Sequence, residues 1–147
     1  MAKAITGGYG GLGAVIITPK IANAIKDDFG LYSTYGWHPL GVAVALANLR
    51  YLTRHRNWIL QNATQLGQYF LTRLSQMRFK SKANIQGKGL AIGIDVDDET
   101  YASKVGETCR KRGLLVSAEE GVLLLFPALT ITRQTAQRGL DIFEKSL

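Results

Sequence analysis

A single cysteine, Cys109, occurs in 147 residues, so no disulfide forms within the chain and no cysteine spacing offers a metal site. A reducing compartment suits such a chain, and cytoplasm is the expected location. Long apolar runs are also missing. No stretch approaches the roughly 18 uncharged residues that a membrane crossing needs. The N-terminus lacks the three-part layout of a signal peptide, because glycines stand where its apolar region would run. Neither disorder nor a fibrous repeat fits 46% hydrophobic and 20% charged residues. No nucleic-acid motif accompanies the net charge of +7. The basic residues are scattered. Arg50, Arg54, His55 and Arg56 read as a solvated helix face, and Arg78, Lys80 and Lys82 as a helix end with its loop. No nucleic-acid, membrane or metal partner is therefore expected, and an acidic partner segment is the other use for the charge.

The length suits one ordinary domain, or a small domain with part of another. Ala14 to Thr18 is a short β-branched run between a turn signal and Pro19, and it predicts a buried strand. A short helix is predicted from Pro19 to Ile25, then a loop, then an alanine-rich helix from Leu40 to Arg54 with Pro39 in its first turn. A second long helix covers Trp58 to Met77, where Ile59, Ala63, Leu66, Phe70, Leu74 and Met77 recur at spacings of three and four. The stretch IQGKGLAIGIDVDD alternates and predicts one strand, with Leu90, Ile92 and Ile94 on one face. A helix over 98–112 follows, with Ala102, Val105 and Cys109 inward and Gly113 at its C-terminus. Strands are predicted at 114–116 and 122–126, and a final helix capped by Thr132. The order after residue 57 makes a compact α/β unit. Residues 1–57 cannot enclose a core alone and read as a piece of something larger.

The richest local signal is MAKAITGGYGGLGAVIIT, in which five of the seven residues from Gly7 to Gly13 are glycine. Gly8, Gly10 and Gly13 fit G-x-G-x-x-G, with Asp27 and Asp28 downstream. A dinucleotide site needs a strand before the glycines and a helix on them, and here the strand follows, so the order is reversed. No lysine followed by Ser or Thr closes the loop as in a P-loop. By composition alone, a tight turn with a surface lysine is the simpler reading. The alternative is that the glycines let backbone approach a ligand while a dry setting disfavours the charged form of Lys3. The neutral amine would then be available to a carbonyl cofactor.

AKAITGGYGGLGAVIIT resembles the active-site segment of the class III aminotransferases, pyridoxal-phosphate enzymes of fold type I. LYSTYGWHPLGVAVALANLRYL is similar to their hydroxyl-bearing segment and the helix after it, and GVLLLFPALTIT and IQGKGLAIGIDV are similar to strands of their small domain. The resemblance implies that Lys3 is the Schiff-base lysine holding pyridoxal 5'-phosphate and moving a proton during the reaction. It implies that Thr34, with Ser33 beside it, hydrogen-bonds the cofactor phosphate across a homodimer interface. The reaction implied is transfer of an amino group between an amine or amino acid and a 2-oxo acid.

The same resemblance implies a division into residues 1–57, a remnant of the cofactor-binding large domain, and residues 58–147, a complete small α/β domain. In the family most of the cofactor pocket precedes the lysine, so the expectation is a C-terminal portion that is weak or inactive in isolation. A non-catalytic association module and half of a split enzyme are the rival expectations, and racemisation or decarboxylation would use the same lysine. Leu124 falls where many members carry a carboxylate-gripping arginine, and leucine cannot make that pair. Tyr9 and Tyr35 are candidates for the pocket wall or for packing. His38 reads as a packing or capping residue.

Overall fold

The structure, a computed structural model, describes residues 2–26, 33, 34 and 36–147, with Lys3 described in its backbone alone. The chain divides into two units, Met1–Arg56 and Asn57–Leu147.

In the second unit, α3 (Arg56–Ser75) buries Leu66, Phe70 and Leu74 along one side. Two strands follow, β1 (Asn84–Lys88) and β2 (Ala91–Asp95), paired antiparallel with Lys88 opposite Ala91. The single strand expected over this stretch is therefore a hairpin. Gly89, at φ 58°, opens its two-residue loop and reverses the chain where alternation alone suggested continuation. Next comes α4 (Glu99–Lys111), whose N-cap Asp98 accepts from the Tyr101 amide and whose buried side holds Ala102, Val105 and Cys109. Burial pushes the Cys109 thiol up, outweighing the opposing hydrogen bond with Ser146.

The next strand, β3, runs Ser117–Glu119 and not at 114–116. The Leu114 amide is already committed to the Cys109 carbonyl at 2.9 Å, closing α4, so pairing begins later. Glu120 and Gly121, both at positive φ, turn the chain into β4 (Val122–Leu125). The sheet order is β1-β2-β4-β3. Ile92, Ile94, Leu123 and Leu125 join the core with residues from α3, α4 and the last helix, α5 (Arg133–Glu144). The expected Thr132 cap forms, its side chain accepting from the Thr135 amide. Three helices thus cover one face of an antiparallel sheet, as the alternating strands require.

Two polar ties fix α5 and the loop before it. Arg73 donates to Asp141 at 3.0 Å, Glu144 at 3.2 Å and the Tyr69 hydroxyl at 3.2 Å, while the Arg133 guanidinium lies 3.3 Å from the centre of the Tyr69 ring. Asn62 donates to the carbonyls of Leu129 and Ile131 at 2.8 and 3.2 Å, holding the segment after β4.

In the first unit, a single 3-10 turn (Lys3–Thr6) precedes the glycines, α1 (Pro19–Ala24) is short, and α2 (Pro39–Arg54) supplies most of the regular structure. Ala14 to Thr18 is not a strand, contrary to its pattern. Every strand among the described residues lies in the second unit, so this run has no ladder to join, and Val15 and Ile16 are 85% and 82% exposed.

Gly67 of α3 sits directly on the hairpin loop. A Cβ there would fall inside contact distance of the Gly89 carbonyl oxygen and 2.7 Å from its carbon. Backbone cannot swing aside as a side chain can. Gly67→Ala should therefore lower stability by about 3 kcal/mol, despite about 1 kcal/mol of better helix propensity. Urea titration checks this, and an unchanged or higher midpoint would contradict it.

Candidate functional site

The segment carrying Lys3 is held by backbone contacts. Ala2 is extended before the 3-10 turn, and Gly7, at φ 59°, ends it with its amide on the Ala4 carbonyl at 3.0 Å. Gly8 follows at φ 88°, and two such residues in succession require glycine. The fully buried Thr6 donates from Oγ1 to the Gly10 carbonyl at 2.6 Å, and the Tyr9 amide donates to the Thr6 carbonyl at 3.2 Å. From α2, the Asn48 side chain donates to the carbonyls of both Ala4 and Ile5 at 3.0 Å. These carbonyls flank the lysine-bearing turn, so one amide from α2 ties down the backbone just after Lys3.

The glycines then pass over the start of α2. A Cβ on Gly10 would lie 3.7 Å from the Gly41 Cα, and one on Gly41 only 3.3 Å from the Gly11 carbonyl oxygen. Between this passage and α2 lies a cavity of about 760 Å³ with walls from Ile5, Leu12, Val42 and Leu46 and a rim bearing Ser33 and Trp37. Among the described residues no charged side chain lines it. Its apolar walls suit a flat ring, and Ser33 is the hydroxyl-bearing residue among those described in its lining. The bare backbone leaves open space for a bound group, since Cβ atoms at Gly8 and Gly11 would meet nothing within 4 Å.

The structure brings Ser33 to this cavity. Thr34 is exposed and not in the lining, although the sequence ranks it first. The Gly36 amide donates to the Ser33 carbonyl at 2.8 Å. The side chain of Lys3, together with Asp27, Asp28 and Tyr35, lies outside the described residues. Tyr9 is exposed and does not line the cavity. His38 occupies the N-cap position of α2 without a side-chain cap bond. Asp98 caps α4, and Asp95 accepts from the Asp97 amide. Asn48 and Gly41 were not singled out by the sequence reading. The usable signal was a glycine and an asparagine inside an otherwise strong helix, each costing propensity without local reason. Among the described residues no three His, Cys, Asp or Glu side chains form a metal-binding group, and no helix is long and apolar enough to cross a membrane.

Comparison with known proteins gives one consistent result. The sequence pattern described as aminotransferase class-III matches residues 1–147. The acetylornithine aminotransferase of Methanothermobacter thermautotrophicus is 34% identical over 146 residues, covering 97% of this chain and 36% of its own length. The human mitochondrial alanine–glyoxylate aminotransferase 2 is 27% identical over 161 residues, covering 100% of this chain and 31% of its own. The crystal structure of the acetylornithine aminotransferase from Elizabethkingia anophelis superposes with a TM-score of 0.82 at 28% identity, over 99% of this chain and 39% of that one. The chain thus spans about a third of the length of the curated relatives it matches.

Removing the Asn48 amide tests the tie on the lysine-bearing turn. In Asn48→Ala, exchange of the Gly7 and Tyr9 amides should quicken about fivefold or more, the worth of about 1 kcal/mol of hydrogen bonding. Thr53→Ala, on exposed α2 surface, should leave both amides unchanged. Equal protection in both variants would show that Asn48 does not hold this segment.

Proposed function

We propose, from the premise that the chain belongs to the class III aminotransferases, that its first unit supplies the lysine of a pyridoxal 5'-phosphate site. The reaction is then transfer of an amino group between an amine or amino acid and a 2-oxo acid. The observation that carries the reading is local. The one lysine of the family-like segment opens a turn clamped by Asn48, beside an apolar cavity with a hydroxyl at its rim. Pyridoxal phosphate, when bound, supplies an aldehyde for an amine and a ring that accepts electrons from the substrate carbon.

The chain's own residues have separable tasks in this proposal. Lys3 holds the cofactor through its Nζ and carries the proton exchanged at the substrate carbon, a role that needs its neutral form. Ser33 donates from Oγ to a phosphate oxygen, and Thr34 shares that task on a dimer neighbour. Leu124, half-buried on the sheet face away from the helices, carries no charge, so a substrate carboxylate is gripped elsewhere.

We also read residues 1–57 as part of a larger cofactor-binding domain and residues 58–147 as the small domain. Val15, Ile16 and Trp37, the last 87% exposed, form an apolar surface on the first unit that suits cover by further polypeptide. The partner is a large-domain segment of the same family type, or a second subunit, with the chain alone weak or inactive.

Borohydride treatment after incubation with pyridoxal phosphate, followed by peptide mass analysis, tests the reading. With the large-domain part of a class III relative supplied, the reduced cofactor should be fixed on Lys3, and Lys3→Ala should lose the adduct together with turnover, by at least about a thousandfold. Ser33→Ala should weaken cofactor retention about tenfold, for loss of a charge-assisted hydrogen bond. Fixation elsewhere, or turnover that survives Lys3→Ala, would overturn the assignment. Sedimentation of the 147-residue chain alone distinguishes the association module, which forms oligomers and fixes no cofactor under any condition.

A further inference from the structure

The second unit contains a cavity of about 490 Å³ that the proposed reaction does not use. It opens between the segment after α4, the end of β4 and α5. Phe70 and Phe143, both buried, contribute to its apolar wall. Leu115, 84% exposed, and Phe126, 67% exposed, stand at its mouth. Two charged side chains line it, Arg112 and Arg138, and no aspartate or glutamate does. The ion pairs among the described residues are made by Arg73 and Lys111, and neither of these arginines takes part in one.

We propose that this cavity binds a small amphipathic carboxylate, with its apolar body against Phe70 and Phe143 and its carboxylate between Arg112 and Arg138. Both guanidiniums border the same apolar opening, so one anion seated there can be met by either or both. A planar guanidinium also fits a carboxylate by paired hydrogen bonds. The volume lies within the range of small-molecule sites, and so does the ratio of many apolar walls to few polar groups. A cation meets two like charges here. A neutral apolar molecule fills the walls and leaves both guanidiniums unanswered. A polyanion such as nucleic acid finds two charges and no extended basic track. The occupant that satisfies walls and rim together has one negative end and a hydrocarbon or aryl body.

Octanoate is the probe, with octanol and octylammonium as matched controls, each titrated into the 147-residue chain below its micelle-forming range. Amide shifts at Gly113, Thr135 and Gly139 report the cavity and separate it from apolar surface on the first unit. Octanoate should shift these amides saturably with one-to-one stoichiometry, at least about tenfold more tightly than either control. Arg112→Gln and Arg138→Gln should each weaken octanoate severalfold, and together to the level of octanol. Both residues are exposed, so the fold tolerates the change, and Arg110→Gln on neighbouring surface should leave binding as it is. Absence of saturable shifts, equal binding of octanol, or octanoate binding indifferent to both substitutions would overturn the proposal. The comparison of the three probes on the unsubstituted chain decides the matter even without the variants.

Discussion

Backbone meeting backbone with no Cβ between is the constraint on which both units depend. In the first unit the glycines after Lys3 cross the start of α2 where Gly41 faces the Gly11 carbonyl, so closely that an added Gly41 Cβ would lie only 3.3 Å from that oxygen. In the second, Gly67 of α3 rests on the Gly89 turn with no room for a carbon at all. The first contact brings Asn48 within reach of the lysine-bearing turn. The second sets α3 down on the hairpin, from which β2, β4 and the shared core follow. Helix propensity argues against glycine at both helical positions by about 1 kcal/mol each, so packing outweighs local preference in each.

The units differ in what they bury. The second closes a core of aliphatic and aromatic residues from a sheet and three helices. In the first, Ile5 and Ala45 are the buried hydrophobic residues among those described, while Val15 and Ile16 face outward. Covering a β-branched or aromatic side chain of this size is worth about 1.5–3 kcal/mol. A few such residues on one surface therefore represent a binding energy comparable with the whole stability of a small domain. That energy is available to any polypeptide that offers Ala14–Thr18 a sheet to join. The reading of residues 1–57 as part of a larger domain rests on this physical point.

The long helices were legible because α3 and α4 repeat apolar residues at spacings of three and four, and α5 begins at the cap Thr132. The strands were legible as apolar stretches and misjudged in extent. Period-two alternation persists through a hairpin, so Ile92 and Ile94 were placed on the right face while the reversal at Gly89 went unread. At 114–116 the apolar run was genuine, but Leu114 is spent closing α4, a competition that pattern alone does not weigh. Ala14–Thr18 failed for a different reason: strand propensity describes fitness for a sheet, and a strand exists only with a neighbour. Of the site, the lysine segment and its hydroxyl neighbours came from motif resemblance. Which of the two adjacent hydroxyl residues reaches the cavity lining, Ser33 and not Thr34, is a matter of backbone placement that the motif does not carry.

Position 124 shows why local geometry has to be separated from chemistry. Leu124 pairs with Gly93 on one side and Ser117 on the other, on the sheet face opposite the helices. Gly93 presents no side chain, and a Cβ placed on it would meet the Leu124 side chain at an ordinary 3.7 Å. Leu124 therefore already covers the space above Gly93, and its half-buried hydrocarbon side chain can offer only apolar contact. A leucine here makes no bidentate pair with a carboxylate, so any such pair has to come from a guanidinium on another element.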